Sequence, residues 1–480
     1  MAQRGVVAAG HPASAAAGAA ALRAGGNAVD AAVAAVVTSF VAEPLLTGLG
    51  AGGYLLVAAP GQEPVLLDFF VETPGRGADG CPAPMTDVVV SFEGATQVFE
   101  IGASSCGTFG APAGVAAAVE LFGRMPLAEL TAPAARLART GVRVNAMQAY
   151  LFGLLAEVVG STPEATARFM VDGRPPREGE LLRDPELADA LDRLGADGAA
   201  PFYTGDIGRA ASDWVRARGG MLTRADLEAY RVVRRTPLRV AYRGREIFTN
   251  PPPSAGGSRL VRALAHLEAT GGTAGELGIV AALEVAEREA LAPATAAADR
   301  LGSTTHVSVL DADGWACSVT CSNGTGSGVT VPGTGVHFNN MLGEHDLFVP
   351  DGVGERLSSA MAPTVVRHDG TAEIVVGSAG SSRIRSALLQ VLVNMLDRGL
   401  SPQQAVDAPR LHVERGSAYA EQGVDVGALR AAGYPVTEFV EPNLFFGGCQ
   451  AVRRDVRSGA LRGGADARRC GAVVAARSRT

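Results

Sequence analysis

One short stretch restricts this chain more than any other: Gly302-Ser303-Thr304-Thr305-His306-Val307-Ser308-Val309-Leu310. On its left, Leu291 to Arg300 is an alanine-rich run, interrupted by proline, that reads as unstructured. On its right, Val307 and Val309 alternate with Ser308, the period of a half-buried strand. Asp311-Ala312-Asp313-Gly314 then predicts a tight turn with positive φ at the glycine, and Trp315 to Thr320 the return strand. A hydroxyl thus stands at the first position of a strand, behind a loop open to scission. With its nitrogen in an amide, Thr304 is an ordinary strand residue of a type common in strands. If the Ser303–Thr304 bond is broken, Thr304 gains an α-amine beside its own hydroxyl, and that amine can serve as the general base.

The flanking sequence supplies a mixed α/β frame. Ala13 to Arg23 is a small-residue helix stopped by Gly25-Gly26. Asn27, with Asp30 three residues on, caps an apolar helix to about Val41. The loop Gly48 to Gly53 has the spacing of a dinucleotide-binding turn, but it leads into the strand Tyr54-Leu55-Leu56-Val57 and not into a helix. Its glycines are therefore read as points of close backbone approach. Leu66 to Val71 is the partner strand. About 112–236 reads as mainly helical, with starts at Thr162-Pro163, Asp184-Pro185 and Thr223. Leu187, Leu191 and Leu194 share one face of a helix that Gly195 is expected to end, and the many charges here predict a solvated exterior. Arg239 to Phe248 reads as one strand, followed by a loop from Asn250 to Gly257.

After the central stretch come two glycine-rich loops, Ser322 to Gly328 and Pro332 to Gly335. Ile374-Val375-Val376 is a buried-type strand, and Ile384 to Asp397 a long helix that stops at Gly399. Between them, Gly380 and Ser381 are expected to present backbone N–H groups at the helix N-terminus. That is either a site for developing negative charge or a plain turn.

Composition excludes several classes. The net charge of −7 argues against a nucleic-acid surface. Six separated cysteines suggest neither a disulfide framework nor a zinc site, and reduced cytosolic thiols are the expectation. Cys317 and Cys321, four apart on a strand, should face one side of the core. His306, His337 and His345 lack metal-ligand spacing, and no partner is evident for His11. The start of the chain lacks the pattern of a signal peptide, and Ala31 to Val41 is too short to span a bilayer, so no membrane association and a cytoplasmic location are expected.

Taken in order, Gly25-Gly26-Asn27-Ala28-Val29-Asp30-Ala31-Ala32, the Gly48–Gly53 loop, Asn250–Gly257, Thr304-Thr305-His306, Gly326-Ser327-Gly328, Asn339-Asn340, Leu357-Ser358-Ser359 and Gly377–Ile384 resemble the γ-glutamyltransferase family of N-terminal nucleophile hydrolases. The resemblance spans nearly the whole chain. It implies an α/β fold, a four-layer αββα sandwich. It also implies a precursor cut between Ser303 and Thr304 into a large subunit, 1–303, and a small subunit, 304–480, that stay intertwined. Thr304 is then the nucleophile, Ser322 the supporting hydroxyl, and Gly380 and Ser381 the oxyanion pair. Asn323, Glu344, Ser358 and Ser359 fall where family members hold the glutamyl head, and Met341 where a polar ligand often sits. No cofactor and no metal are implied, and the substrate is a small amino-acid-like molecule.

One departure bears on substrate. Glutathione-type members have an arginine after Asp-Phe on the front strand, and here Phe70 follows Asp68-Phe69. Losing a bidentate carboxylate partner should weaken γ-glutamyl binding unless Arg76 or another arginine reaches in. Three readings follow: acyl transfer on a γ-glutamyl-type amide; C–C hydrolysis of a keto-acid side chain with the same nucleophile, as in antibiotic pathways that build an alkylproline unit; or an uncut, non-enzymatic homologue.

Overall fold

The computed structural model describes residues 2–92, 95–272, 274–288, 304–344 and 352–478. The Leu291–Arg300 run, Ser303 and His345 lie outside the described residues. The first elements form for local reasons. Strand β1, Gln3–Ala9, leads into helix α1, Pro12–Arg23, and His11 caps that helix by accepting the Ala13 amide on Nδ1. Helix α2, Ala28–Ala42, carries the expected capping box: Asn27 accepts the Val29 and Asp30 amides, and Asp30 accepts the Asn27 amide. It is buried along its whole length, which accounts for its nearly uniform apolar surface.

Strands β2, Gly52–Ala58, and β3, Val65–Phe69, join a seven-stranded sheet in the order Ala472–Arg477, β1, Thr304–Asp311, Ala316–Ser322, β2, β3, Val233–Arg235. The central pair, Thr304–Asp311 with Ala316–Ser322, is the hairpin the sequence predicts, with Gly314 at φ 93° in the turn; the return strand starts one residue later than expected and runs two further. A second, six-stranded sheet runs Leu461–Ala465, Gly448–Arg454, Thr371–Ala379, Thr364–His368, Arg245–Thr249, Leu238–Tyr242. Both sheets contain strands from either side of Thr304.

Pleating assigns the faces. Val307, Val309, Cys317, Val319 and Cys321 pack outward against α2 and its neighbours, while Leu310 and Ala316 join the apolar layer between the sheets. The helix Ile384–Leu396 covers the far face of the second sheet, completing a four-layer αββα sandwich. A polar seam runs between the sheets. His306 Nδ1 pairs with Thr320 Oγ1 at 2.7 Å and Nε2 with Ser308 Oγ at 2.9 Å. Burial lowers the His306 pKa to about 3, so the ring is neutral. Only glycine fits opposite it: a Cβ on Gly377 would lie 2.0 Å from His306 Cε1.

The segment 112–236 is mainly helical, from Ala111–Phe122 to Arg224–Ala229. Several local readings need correction. Gly195 lies inside its helix, Pro185–Asp197, which ends at Gly198 with φ 65°. Arg239 to Phe248 is a hairpin, because Arg243 and Gly244, at φ 50° and 71°, turn the chain back. Ala255, Gly256 and Gly257 are the first turn of the helix Ala255–Thr270, not loop. Gly257 is required there because a Cβ would sit 1.9 Å from the Asn250 carbonyl oxygen. Among the described residues no helix is long and apolar enough to cross a membrane.

Candidate active site

Thr304 opens its strand with the side chain turned toward the second sheet and 4% exposed. The ladder sets it opposite Ser322, and its Oγ1 donates to Ser322 Oγ at 3.3 Å. Ser322 Oγ also accepts the Gly324 amide at 3.1 Å, which fixes the first turn of the glycine loop against the nucleophile candidate. On the other side, β1 pairing stops at Ala9 opposite Val307, so that edge of residues 304 to 306 has no strand partner among the described residues.

Thr304 borders a cavity of about 360 Å3 including its mouth. Phe70, Met341, Met361 and Ile384 give it apolar walls; Ser322, Ser359 and Ser381 contribute polar edges. Glu344 is the one charged side chain among the described residues that line it. Of the residues singled out from the sequence, Thr304, Ser322, Glu344, Ser359, Ser381 and Phe70 are brought together here. Asn323, Ser358 and Gly380 are not among the lining residues. Asn323 is turned inward and fully buried, its amide nitrogen donating to the His337 carbonyl at 3.3 Å. Ser358 is half-buried beside Ser359.

The remaining motifs hold these walls in place. Ala255 and Gly256 amides and the Ser254 hydroxyl all donate to the Ser359 carbonyl, so the proline-rich loop pins the serine pair. Asn339 clasps the Gly50 carbonyl and the Gly107 amide, and Asn340 accepts the Thr325 amide at 2.8 Å. Gly50, Gly52 and Gly53 permit close approach as expected, a Cβ on Gly50 lying 2.2 Å from the His337 carbonyl oxygen, whereas Gly48 has room for one. Gly380 and Ser381 both have positive φ, 125° and 51°, and a 3-10 turn, Ser381–Arg383, leads into the long helix.

Phe70 stacks on Tyr54 with centroids 5.4 Å apart and is 1% exposed. Neither nearby arginine reaches the cavity. Arg76 turns to Asp226 at 3.5 Å and Glu72 at 3.6 Å. Arg356 lies over the Tyr230 ring at 4.4 Å, donates to the Phe70 and Arg231 carbonyls, and pairs with Asp68 at 3.6 Å and Glu72 at 3.5 Å.

One buried acid escapes sequence reading. Glu43, just past α2, accepts the Thr305 hydroxyl on both carboxylate oxygens at 3.1 Å. Burial pushes its pKa up to about 7, against the opposing pull of Thr305 and Arg469. Arg469 is itself buried, and its pKa is lowered to about 10 by desolvation and by Arg383. The overlooked signal was an acid at the C-terminal end of an apolar helix, where the helix dipole disfavours negative charge.

The gamma-glutamyltranspeptidase family model matches residues 14–290 and 281–476. The chain belongs to this family. Among fellow members, the Acylase ACY 1 proenzyme of Pseudomonas sp. (strain SE83) is 32% identical over 89% of this chain and 86% of its own length. The glutathione hydrolase proenzyme of Escherichia coli (strain K12) is 32% identical over 82% of this chain and 78% of its own. The crystal structure of cephalosporin acylase from Bacillus halodurans superposes with a TM-score of 0.85 at 26% identity, over 98% of this chain and 96% of that one. Fold and membership make the chain an enzyme of the N-terminal nucleophile hydrolase type.

Proposed function

We propose that the chain is a precursor that breaks its own Ser303–Thr304 bond to give subunits 1–303 and 304–480, and then transfers acyl groups from a small amide through Thr304. The freed α-amine takes the proton of Thr304 Oγ1, and the oxygen attacks the substrate carbonyl. Ser322 Oγ, 3.3 Å away, orients the hydroxyl. The backbone N–H groups of Gly380 and Ser381 receive the oxyanion, which is stabilised most where water is excluded. The leaving amine departs with the proton, and water or a second amine releases the acyl group from Thr304. Two relatives are named as proenzymes, which fits a cut precursor. The four buried cysteines, all free, fit a reducing compartment.

The carrying observation is Thr304 itself: first in its strand, against Ser322, on the wall of a cavity. The C–C reading is less well supported, because the described lining offers a keto-acid carboxylate no cation. The test is mass spectrometry of the incubated protein and of Thr304→Ala. The wild type should yield a fragment starting at Thr304, and the variant should stay one chain without turnover. An active wild type with an intact Ser303–Thr304 bond refutes the mechanism.

A further inference from the structure

A second cavity lies at the end of the sandwich remote from Thr304. The strand Thr304–Asp311 carries the chain roughly 23 Å away from the nucleophile candidate, at about 3.3 Å per residue. There a cavity of about 610 Å3 including its mouth opens between residues 58–61 and 312–314, at the end of the first sheet, and 370–372 of the second. Arg367 and Arg454 line it, from the two strands that pair with either edge of Thr371–Ala379. Ala372, the Cα partner of Arg367, belongs to the apolar layer between the sheets, which sets Arg367 on the inner face. Pleating sends Arg453 to the outer face, where it shares Glu373 with Arg245, and leaves Arg454 facing the cavity.

Both guanidinium groups meet carbonyls and not carboxylates. Arg367 is 6% exposed; its Nη2 donates to the Ala59 and Gln62 carbonyls at 3.0 and 2.6 Å, and its Nε is buried without a partner. Arg454 Nη2 donates to the Asp311 carbonyl at 2.6 Å, and its Nε is likewise buried and unbonded. Neither forms an ion pair among the described residues. The acids around them have other partners or stand off. The Asp311 carboxylate takes the Ala28 and Trp315 amides, and Asp455 takes the Arg457 and Ser458 amides. Asp313, the one acid among the described lining, is 63% exposed and pairs with Arg124 at 3.0 Å. The exposed Glu63 attracts Arg367 without pairing with it. Guanidinium stays charged in proteins, so two such groups deprived of water and counter-charge are costly, and an anion with several oxygens offsets that cost. Their planar forks match the oxygens of a phosphate group.

We propose that the cavity between Arg367 and Arg454 binds a small doubly charged oxyanion, a phosphate group, at a site separate from the acyl cavity. The anion stabilises the folded protein by mass action.

Calorimetry on the wild-type protein, at constant ionic strength in a chloride background, compares inorganic phosphate with acetate. Phosphate should bind at one site with a dissociation constant of about 1 mM or tighter, at least about tenfold tighter than acetate, and should raise Tm. Arg454→Met and Arg367→Met, checked for folding by circular dichroism, should each weaken phosphate at least about tenfold. Asp313→Asn removes a repelling charge from the mouth and should tighten it; if neither arginine variant folds, this substitution decides, and an unchanged affinity counts against the site. Thr304→Ala should bind phosphate as the wild type does. Glycerol 3-phosphate tells an ester from the free ion: tighter binding than phosphate assigns an ester, equal or weaker binding the free ion, and the site stands in both cases. No binding of either phosphate compound at about 10 mM, acetate equal to phosphate, an affinity unmoved in a folded arginine variant, or loss of binding in Thr304→Ala overturns the proposal.

Discussion

Replacing Glu43 with glutamine should make the protein less sensitive to rising pH. The Glu43 carboxyl is buried and its pKa rises from 4.5 to about 7 on folding. Below pH 4.5 it is protonated in both states and contributes no pH-dependent cost. Between 4.5 and 7 the folded state keeps a proton that the unfolded chain releases, so stability falls as pH rises, and above 7 the cost is complete. At about 1.4 kcal/mol per pH unit, the full cost is about 3 kcal/mol. The pull of Arg469 is already contained in that value. Glutamine retains a carbonyl to accept the Thr305 hydroxyl but does not titrate, and every other titrating group cancels between the two proteins. A chain of 480 residues unfolds with an entropy of roughly 1 kcal/mol per kelvin, so about 3 kcal/mol corresponds to roughly 3 °C in Tm. Scanning calorimetry at pH 5 and pH 8 should show Glu43→Gln gaining about 3 °C on the wild type over that interval. A difference that stays flat or declines with pH would mean that Glu43 is ionised throughout and paired with Arg469, and the reasoning would fail.

Gly377→Ala should destabilise by about 1–3 kcal/mol, since the new methyl would meet the His306 ring at 2.0 Å; a variant with wild-type Tm would show that the seam yields. Ser381, at φ 51°, is held where a side chain is costly. Ser381→Val should lower stability by more than about 1 kcal/mol while Ser381→Gly stays within about 1 kcal/mol of the wild type; urea titration decides, and equal midpoints for valine and serine would remove the claim of strain.

Short-range signals carried much of the fold. The alternation after Thr304, the Asp-Gly turn, the Asn27–Asp30 cap and the largely apolar helix from Ile384 each act within a few residues, so each was legible in order along the chain. Boundaries failed where a side-chain pattern ran on through a backbone reversal, as at Arg243-Gly244 inside an apparently continuous strand. The nucleophile candidate was legible for the same local reason, whereas its neighbour Ser322 was legible only through the family resemblance; the hairpin register then sets the two opposite each other.

What the sequence determined by itself was the position of a hydroxyl at the head of a strand and the family frame around it. Only the tertiary structure decided the charge of the cavity. Asp68, whose carbonyl and carboxylate both meet the Arg356 guanidinium, is separated from it by 288 residues, and Glu43 from Thr305 by 262. Whether an arginine is free to bind a substrate depends on every acid and carbonyl that folding brings to it. No local pattern encodes that sum, because it is set by desolvation and by contacts between distant segments.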